Sequence, residues 1–247
     1  MSDAVGVDVG GTGIKGAVVD VQSGELLSDR VRIETPRPAT PEAVRDTIVE
    51  LVRQLGSDAP VGVALPGVID HGIFRTAANI DPAWIGTSLP ELFGASLPMA
   101  TAFLNDADAQ AMAEFAYGAA RGQAGLVITV TFGTGIGVGL VHDGALIPNA
   151  ELGHLELDGV IAESSTSARA REDAGLTWEQ WAAMASRYLQ HLENLLWPQL
   201  FVIGGGVAKK PELWREHIHT RTPLRPAALI NNAGIVGAAH AAWSARS

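Results

Sequence analysis

Apolar positions along the chain recur with two spacings, and these predict an alternation of short strands and helices. Residues 5–9 read as a short buried strand, followed by the turn Gly10-Gly11-Thr12-Gly13. Residues 14–20 resume as a strand, because Ile14, Gly16 and Val18 alternate with Lys15, Ala17 and Val19. Ser23-Gly24 marks a second turn and residues 26–33 a third strand, so the opening is a meander. Pro36, Pro38 and Pro41 break the chain, and Val44, Ile48, Leu51 and Leu55 then give the inner face of a helix over 41–55. A buried strand over 61–65 ends in Pro66-Gly67, with a small hairpin over 68–74.

The second half repeats this order. A strand over 97–104 ends at Asn105-Asp106 and leads into an alanine-rich helix over 107–117. A buried strand over 126–132, a glycine cluster over 133–139 and a strand over 138–141 follow, with a hairpin turn at His142-Asp143-Gly144. Residues 164–196 are mostly helical, broken near Gly175, where Thr177 and Gln180 have the spacing of a capping box. A last strand over 200–203 runs into Gly204-Gly205-Gly206, and residues 233–243 form a small-residue helix. The chain is therefore α/β, with a strand meander plus helix twice over. Asp8-Val9-Gly10-Gly11-Thr12-Gly13 and Thr131-Phe132-Gly133-Thr134-Gly135 look like two versions of one device.

Composition narrows the class. With 247 residues, 47% apolar and 18% charged, the chain has ample material for a core and is not disordered. No apolar run is long enough to span a membrane, and Met1-Ser2-Asp3-Ala4 lacks the basic start of a signal peptide, so a cytoplasmic protein is expected. The absence of cysteine excludes disulfides and thiolate metal sites. A net charge of -10 disfavours nucleic acid as a partner. A polyanionic substrate would need a local patch of Lys or Arg and a divalent cation.

Glycine turns expose backbone N–H groups that can cradle phosphate oxygens. Two such turns, with hydroxyls from Thr12, Thr131 and Thr134 and with Lys15 close by, suit successive phosphates. The alternative is a pair of ordinary hairpin turns. Neither turn has the Walker A pattern, and no helix follows the first, so a dinucleotide fingerprint fails. Asp8 either holds Mg²⁺, through water, or caps its own turn. Asp106 is either a base that takes the proton of a sugar hydroxyl or the N-cap of its helix; Asp108 is a secondary carboxylate. Glu151 and His154, three apart, suit paired hydrogen bonds to sugar hydroxyls, whereas two such ligands are too few for zinc. Glu163 is a further sugar-side candidate. Trp84 either covers a sugar face or packs in the core. The stretch from Gly204 to Lys210, with Gly205 and Lys209, either forms a third donor-side turn or carries a solvated cationic pair.

Asp8 to Gly16, Asn105-Asp106, Thr131 to Gly139, Glu151 to His154 and Gly204 to Gly206 stand in the order and spacing of the bacterial ROK sugar kinases. Within that family the chain resembles the actinobacterial polyphosphate glucokinases, over nearly its whole length. Leu65-Pro66-Gly67, Arg75-Thr76-Ala77-Ala78-Asn79 and Trp84-Ile85-Gly86-Thr87 match the style of that subgroup. The resemblance implies an actin-like, hexokinase-type fold of two ribonuclease-H-like domains with a cleft between them. It divides the chain into an N-terminal domain, residues 1–105 with the final helix of about 232–247, and a C-terminal domain, residues 106–231. It implies Asp106 as catalytic base, and Asn79, Asn105, Glu151, His154 and Glu163 as glucose ligands. Asp8, Gly10, Gly11, Thr12, Gly13, Lys15, Thr131, Gly133, Thr134, Gly135, Gly205 and Lys209 would serve the donor phosphates, with Mg²⁺ on Asp8. Typical members carry a cysteine-rich zinc motif where this chain has residues 162–171 without cysteine, so no structural zinc is expected. The short helix around 165–171 is the candidate for stabilising that loop instead.

The implied reaction carries a phosphoryl group from inorganic polyphosphate, with ATP as a second donor, to the 6-hydroxyl of glucose, in a homodimer. The alternatives are an ATP-dependent glucokinase or other hexose kinase of the family, a sugar-binding protein without catalysis, and an actin-like filament.

Overall fold

The computed structural model describes residues 2–78, 80–97 and 101–245. The chain divides into two compact units, one formed by Met1–Ala113 with Asn232–Ser247 and the other by Glu114–Asn231. The expected boundary at 105/106 lies at the start of a helix, and this division falls inside the same helix.

In the first unit, β1 (Asp3–Val9) and β2 (Ile14–Asp20) form a hairpin around the first glycine turn, with Asp8 opposite Lys15. The third strand is short: β3 (Val31–Ile33) pairs with β2, and Leu26 makes only an isolated bridge to Val19. The cause is local. Ser28 Oγ accepts from Val18 N at 3.0 Å and donates to Asp29 O, which turns the chain away from the ladder over residues 28–30. Helix α1 (Pro41–Leu55) has the bounds its pattern predicts, because Thr40 caps its start, Pro41 fits the first turn and Gly56 closes it in the left-handed region. Then come β4 (Val61–Leu65), the hairpin of β5 (Ile69–Asp70) and β6 (Ile73–Phe74), α2 (Leu89–Phe93) and β7 (Thr101–Asn105).

The sheet order is β3-β2-β1-β4-β7, antiparallel across β3-β2-β1 and parallel across β1-β4-β7. Strand alternation sorts its two faces. Val5, Val7, Val9, Val61, Val63 and Leu65 join Val44, Ile48 and Leu51 of α1 in one core. Gly6 and Gly62 face the other way, where a Cβ would collide with the carbonyls of Ile235 and Ala238 in the C-terminal helix, Ala233–Ser244. That helix covers the second face, and Ala64, Ala109 and Ala238 meet there.

Helix α3 (Asp106–Ala116) leads into the second unit, which repeats the plan. Strands β8 (Leu126–Phe132) and β9 (Ile136–His142) form a hairpin around the second glycine turn, and β10 (Ala145–Ile147) continues the meander. A small hairpin of β11 (Glu156–Leu157) and β12 (Val160–Ile161) precedes α4 (Ala162–Thr166), α5 (Ala168–Asp173) and α6 (Trp178–Leu196). Strands β13 (Leu200–Gly205) and β14 (Leu224–Pro226) complete the order β10-β9-β8-β13-β14. The capping box of Thr177 and Gln180 starts α6. The core under α6 is aromatic: Trp181 meets Phe132 edge-on at 5.2 Å and Trp214 at 6.3 Å, all fully buried. Two sheets of identical strand order, each with two antiparallel pairings on one side of its first strand and two parallel pairings on the other, are ribonuclease-H-like. Among the described residues no helix is long and apolar enough to cross a membrane.

Candidate active site

The first glycine turn is pinned from the side of β3. Gly10 N donates to Gly13 O at 3.2 Å, closing the turn. Thr35 Oγ1 donates to Gly10 O at 2.5 Å, and Arg32 Nη2 donates to Thr12 O at 2.8 Å. The guanidinium of Arg32 lies on Gly13, where a Cβ would come within 2.6–2.8 Å of it, so a side chain there would have to displace Arg32 from the turn. Gly11 differs: a Cβ there would meet nothing within 4 Å, and its φ is not in the left-handed region. Among the described residues nothing demands glycine at that position. Among the described residues, no hydrogen bond engages the amides of Gly11 or Thr12. Asp8 stands at the end of β1, its carboxyl 2.8 Å from where a Cβ of Gly234 would lie, against the first turn of the C-terminal helix. Burial pushes that carboxyl above its ordinary range, opposed by the Lys15 charge.

The end of β7 carries a helix cap. Asn105, buried, is the cap: its Oδ1 accepts from Ala107 N at 2.8 Å and Asp108 N at 3.2 Å. Its Nδ2 donates to Gly67 O at 3.1 Å, which ties α3 to the Pro66-Gly67 turn after β4. Asn105 therefore spends its carbonyl oxygen and one N–H inside the fold, and Asp106 stands at the first helical position. Asn79 lies outside the described residues. Trp84 is a core residue, fully buried, with its indole N–H donating to Ala39 O at 2.9 Å and its ring 5.0 Å from that of Phe74. A role on a sugar face is thereby excluded.

In the second unit, Gly133 N donates to Gly135 O at 3.0 Å, and Arg169 N from α5 donates to Gly133 O at 3.1 Å. Like Gly11, Gly133 has nothing within 4 Å of a Cβ, and the amide of Thr134 is unengaged among the described residues. Thr131 Oγ1 is used across the hairpin, donating to Gly137 O at 3.3 Å. Gly135 has a packing reason, because a Cβ would strike the carboxylate of Glu163.

Glu163 is the hinge of this half. Its Oε2 accepts from Ile136 N at 3.3 Å, directly after the glycine turn, and its Oε1 is 3.5 Å from His154 Nε2. The other ring nitrogen, Nδ1, is 3.6 Å from Glu151 Oε2. Burial holds the Glu151 carboxyl above the ordinary glutamate value; His154 opposes this and the Glu163 charge adds to it. The short helix Leu152–His154 is fixed below by Tyr188, whose buried hydroxyl donates to Leu152 O at 3.1 Å. Glu151, His154 and Glu163 thus form one polar cluster, while Glu156 and Asp158 are exposed.

Gly204 and Gly205 do not form a turn. They are the last residues of β13, paired with Thr131 and Phe132, and a Cβ on Gly205 would strike the Phe132 carbonyl. The turn comes after them, at Gly206–Lys209, with Lys209 exposed. The cysteine-free stretch is held by its own contacts. Ser167 caps α5, Trp181 Nε1 donates to Thr166 O at 2.7 Å, and Arg171 donates to Leu176 O while lying 4.1 Å over the Trp178 ring. Among the described residues no cluster of three or more His, Cys, Asp or Glu is placed to hold a metal.

The sequence profile of the ROK family matches residues 4–169, a span that includes both glycine turns, Asn105-Asp106 and the Glu151–His154–Glu163 cluster. The chain belongs to the ROK family. Among ROK relatives, the polyphosphate glucokinase of Mycobacterium tuberculosis (strain CDC 1551 / Oshkosh) is 49% identical over 237 residues, covering 96% of this chain and 89% of the other. The crystal structure of an inorganic polyphosphate/ATP-glucomannokinase from Arthrobacter sp. strain KM superposes with a TM-score of 0.91 at 46% identity, covering 97% of each chain. A ROK family glucokinase from Streptomyces griseus, solved in complex with glucose and AMPPNP, gives 0.81 at 27% identity, covering 96% of this chain and 98% of that one. The two ribonuclease-H-like units are those of the actin-like, hexokinase-type fold.

Proposed function

We propose that this ROK protein transfers a phosphoryl group from inorganic polyphosphate to the 6-hydroxyl of glucose, giving glucose 6-phosphate. The observation that carries the reading is the 49% identity, over 96% of the chain, to a polyphosphate glucokinase. The geometry supports it chemically. Phosphoryl transfer needs alignment and charge neutralisation more than covalent chemistry. Gly11 and Gly133 leave room where the fold requires no glycine, and unengaged amides stand beside both, which suits phosphate oxygens. Asp106 takes the proton of the sugar hydroxyl as the new P–O bond forms. Its carboxylate stands at the start of α3, beside the helix N–H groups, and the capping duty falls to Asn105. Glu151 and His154 hold the sugar, with Glu163 orienting His154.

The carboxylate of Asp8 at the end of β1, which belongs to no group of three or more His, Cys, Asp or Glu among the described residues, fits Mg²⁺ held mainly by water and donor phosphates. The ion, when bound, would neutralise phosphate charge. ATP as a second donor and mannose as a second acceptor belong to the same proposal, as the name of the Arthrobacter relative suggests. The homodimer rests on the family resemblance, and the cytoplasmic setting on the reading of the sequence.

The test is formation of glucose 6-phosphate from glucose with polyphosphate, and separately with ATP. Product with ATP alone would leave an ATP-dependent glucokinase. Sugar binding without product from any donor would leave a binding protein.

A further inference from the structure

Beside the first glycine turn lies a cavity of about 340 Å³, walled by Gly10 and Gly11 of the turn, by Thr35 and Arg37 after β3, and by Pro66, Ile80 and Asp81, whose carboxylate accepts from Ala83 N. We infer that this cavity is a subsite for the phosphate chain of the donor, with Arg37 as its cationic ligand and with Thr35 and Arg32 as the residues that set the turn. The inference rests on the proposed polyphosphate reaction.

Three observations carry it. First, Arg37 is exposed and, among the described residues, has no carboxylate partner, whereas Arg171 is tied up by Leu176 O and the Trp178 ring. A chain of net charge -10 that binds a polyanion needs such an uncommitted cation next to the amides that receive it. Second, the cavity opens on Gly11, the glycine with nothing near a Cβ and an amide that bonds to no described group. Third, the turn is oriented by its carbonyls. In a trans peptide C=O and N–H point in opposite directions. Thr35 on Gly10 O and Arg32 on Thr12 O therefore fix the directions of the Gly11 and Gly13 N–H groups. The 32–37 segment thus holds the turn and supplies the neighbouring charge.

The experiment is calorimetric titration of tripolyphosphate, and separately of glucose 6-phosphate, into the full chain and its variants, followed by turnover with long-chain polyphosphate. R37A is expected to bind tripolyphosphate about tenfold more weakly, with a matching rise in donor KM and an unchanged glucose KM; R37K should recover most of the loss. T35V should weaken the donor in the same way and T35S should restore it, which a merely structural contact would not do for the donor alone. R53A, at an exposed arginine on α1, serves as the control and should match the unmodified chain. Equal tripolyphosphate affinity in R37A overturns the inference, as does failure of the unmodified chain to bind tripolyphosphate. A loss confined to glucose 6-phosphate, or to glucose, also overturns it by giving the cavity to product or sugar. Tripolyphosphate binding that weakens in R37A, without turnover of polyphosphate in the unmodified chain, would sink the proposed reaction and leave the subsite standing.

Discussion

Gly133→Ala separates a glycine kept for folding from one kept for a ligand. A methyl at that position would meet no heavy atom within 4 Å, and the backbone is not in the left-handed region. Folding should therefore tolerate it. Replacing glycine at a compatible position stabilises by about 0.4–1 kcal/mol through the unfolded chain, which raises the melting temperature of a domain this size by roughly 1–4 °C. The same methyl stands where a phosphate would approach the turn. Losing one hydrogen bond to a charged group costs about 1.5–3 kcal/mol, and at about 1.4 kcal/mol per decade that lowers kcat/KM for the donor by roughly 10- to 150-fold. Gly205→Ala is the contrast, because its φ of 78° and the Phe132 carbonyl make a methyl there strained and colliding. Scanning calorimetry and initial rates over a range of polyphosphate would measure both terms. A donor kcat/KM within twofold of the parent in Gly133→Ala would refute the phosphate argument. A melting temperature lowered by several degrees would show that the fold itself needs this glycine.

Further outcomes are expected. Asp106→Asn should lower kcat by about 10²–10⁴-fold while glucose affinity by titration stays nearly unchanged; comparable turnover would remove the assigned base. The glucose KM should rise as pH falls, beginning above the ordinary glutamate value of 4.5, because burial makes Glu151 take up its proton early and lose its acceptor character; Glu151→Gln should flatten that limb. The stability effect has the opposite sign: a carboxyl raised in the folded state binds its proton more readily there than in the unfolded chain, so protonation of Glu151 relieves the fold. Glu114→Gln should lower stability in urea by about 1–3 kcal/mol, because the buried Glu114 carboxylate accepts from Ala119 N, Ala228 N and Leu229 N at 2.8–3.0 Å. Trp84→Phe should lower stability without altering the glucose KM, as befits a buried side chain bonded to Ala39 O.

What could be read from the sequence follows the range of the interactions. Strand β2 and helix α1 are legible to the residue, since alternation defines one and Thr40, Pro41 and Gly56 bracket the other. The repeated plan of the two halves is legible too, because the glycine turn occurs twice, whereas the strand order of the sheets is seen only in the structure. Asn105 and Asp106 are legible as a pair but not in their division of labour, because two short side chains with oxygen at a strand-helix junction can each cap, and only the geometry shows Asn105 doing so. Trp84 is ambiguous because the acceptor that buries it, Ala39, lies 45 residues away. Glu163 gains its place from Ile136, 27 residues upstream, and Arg32 from Thr12, 20 residues upstream. The third strand reads too long because Ser28, a polar residue compatible with a strand, turns its hydroxyl onto neighbouring backbone. The proline-rich stretch around Arg37 carries no periodicity, and a break in pattern says nothing of which wall it will form.

The C-terminal helix has a bearing on synthesis. Its carbonyls fill the spaces left by Gly6 and Gly62, and its Gly237 rests on the backbone of Ala109. Everything else in that unit has left the ribosome more than a hundred residues earlier, with one face of the sheet still bare. The stretch 114–231, by contrast, is continuous and has all its strands in hand before residue 233 is added. In a growing chain the later-made half can therefore finish first, and the earlier-made half waits for the helix Ala233–Ser244.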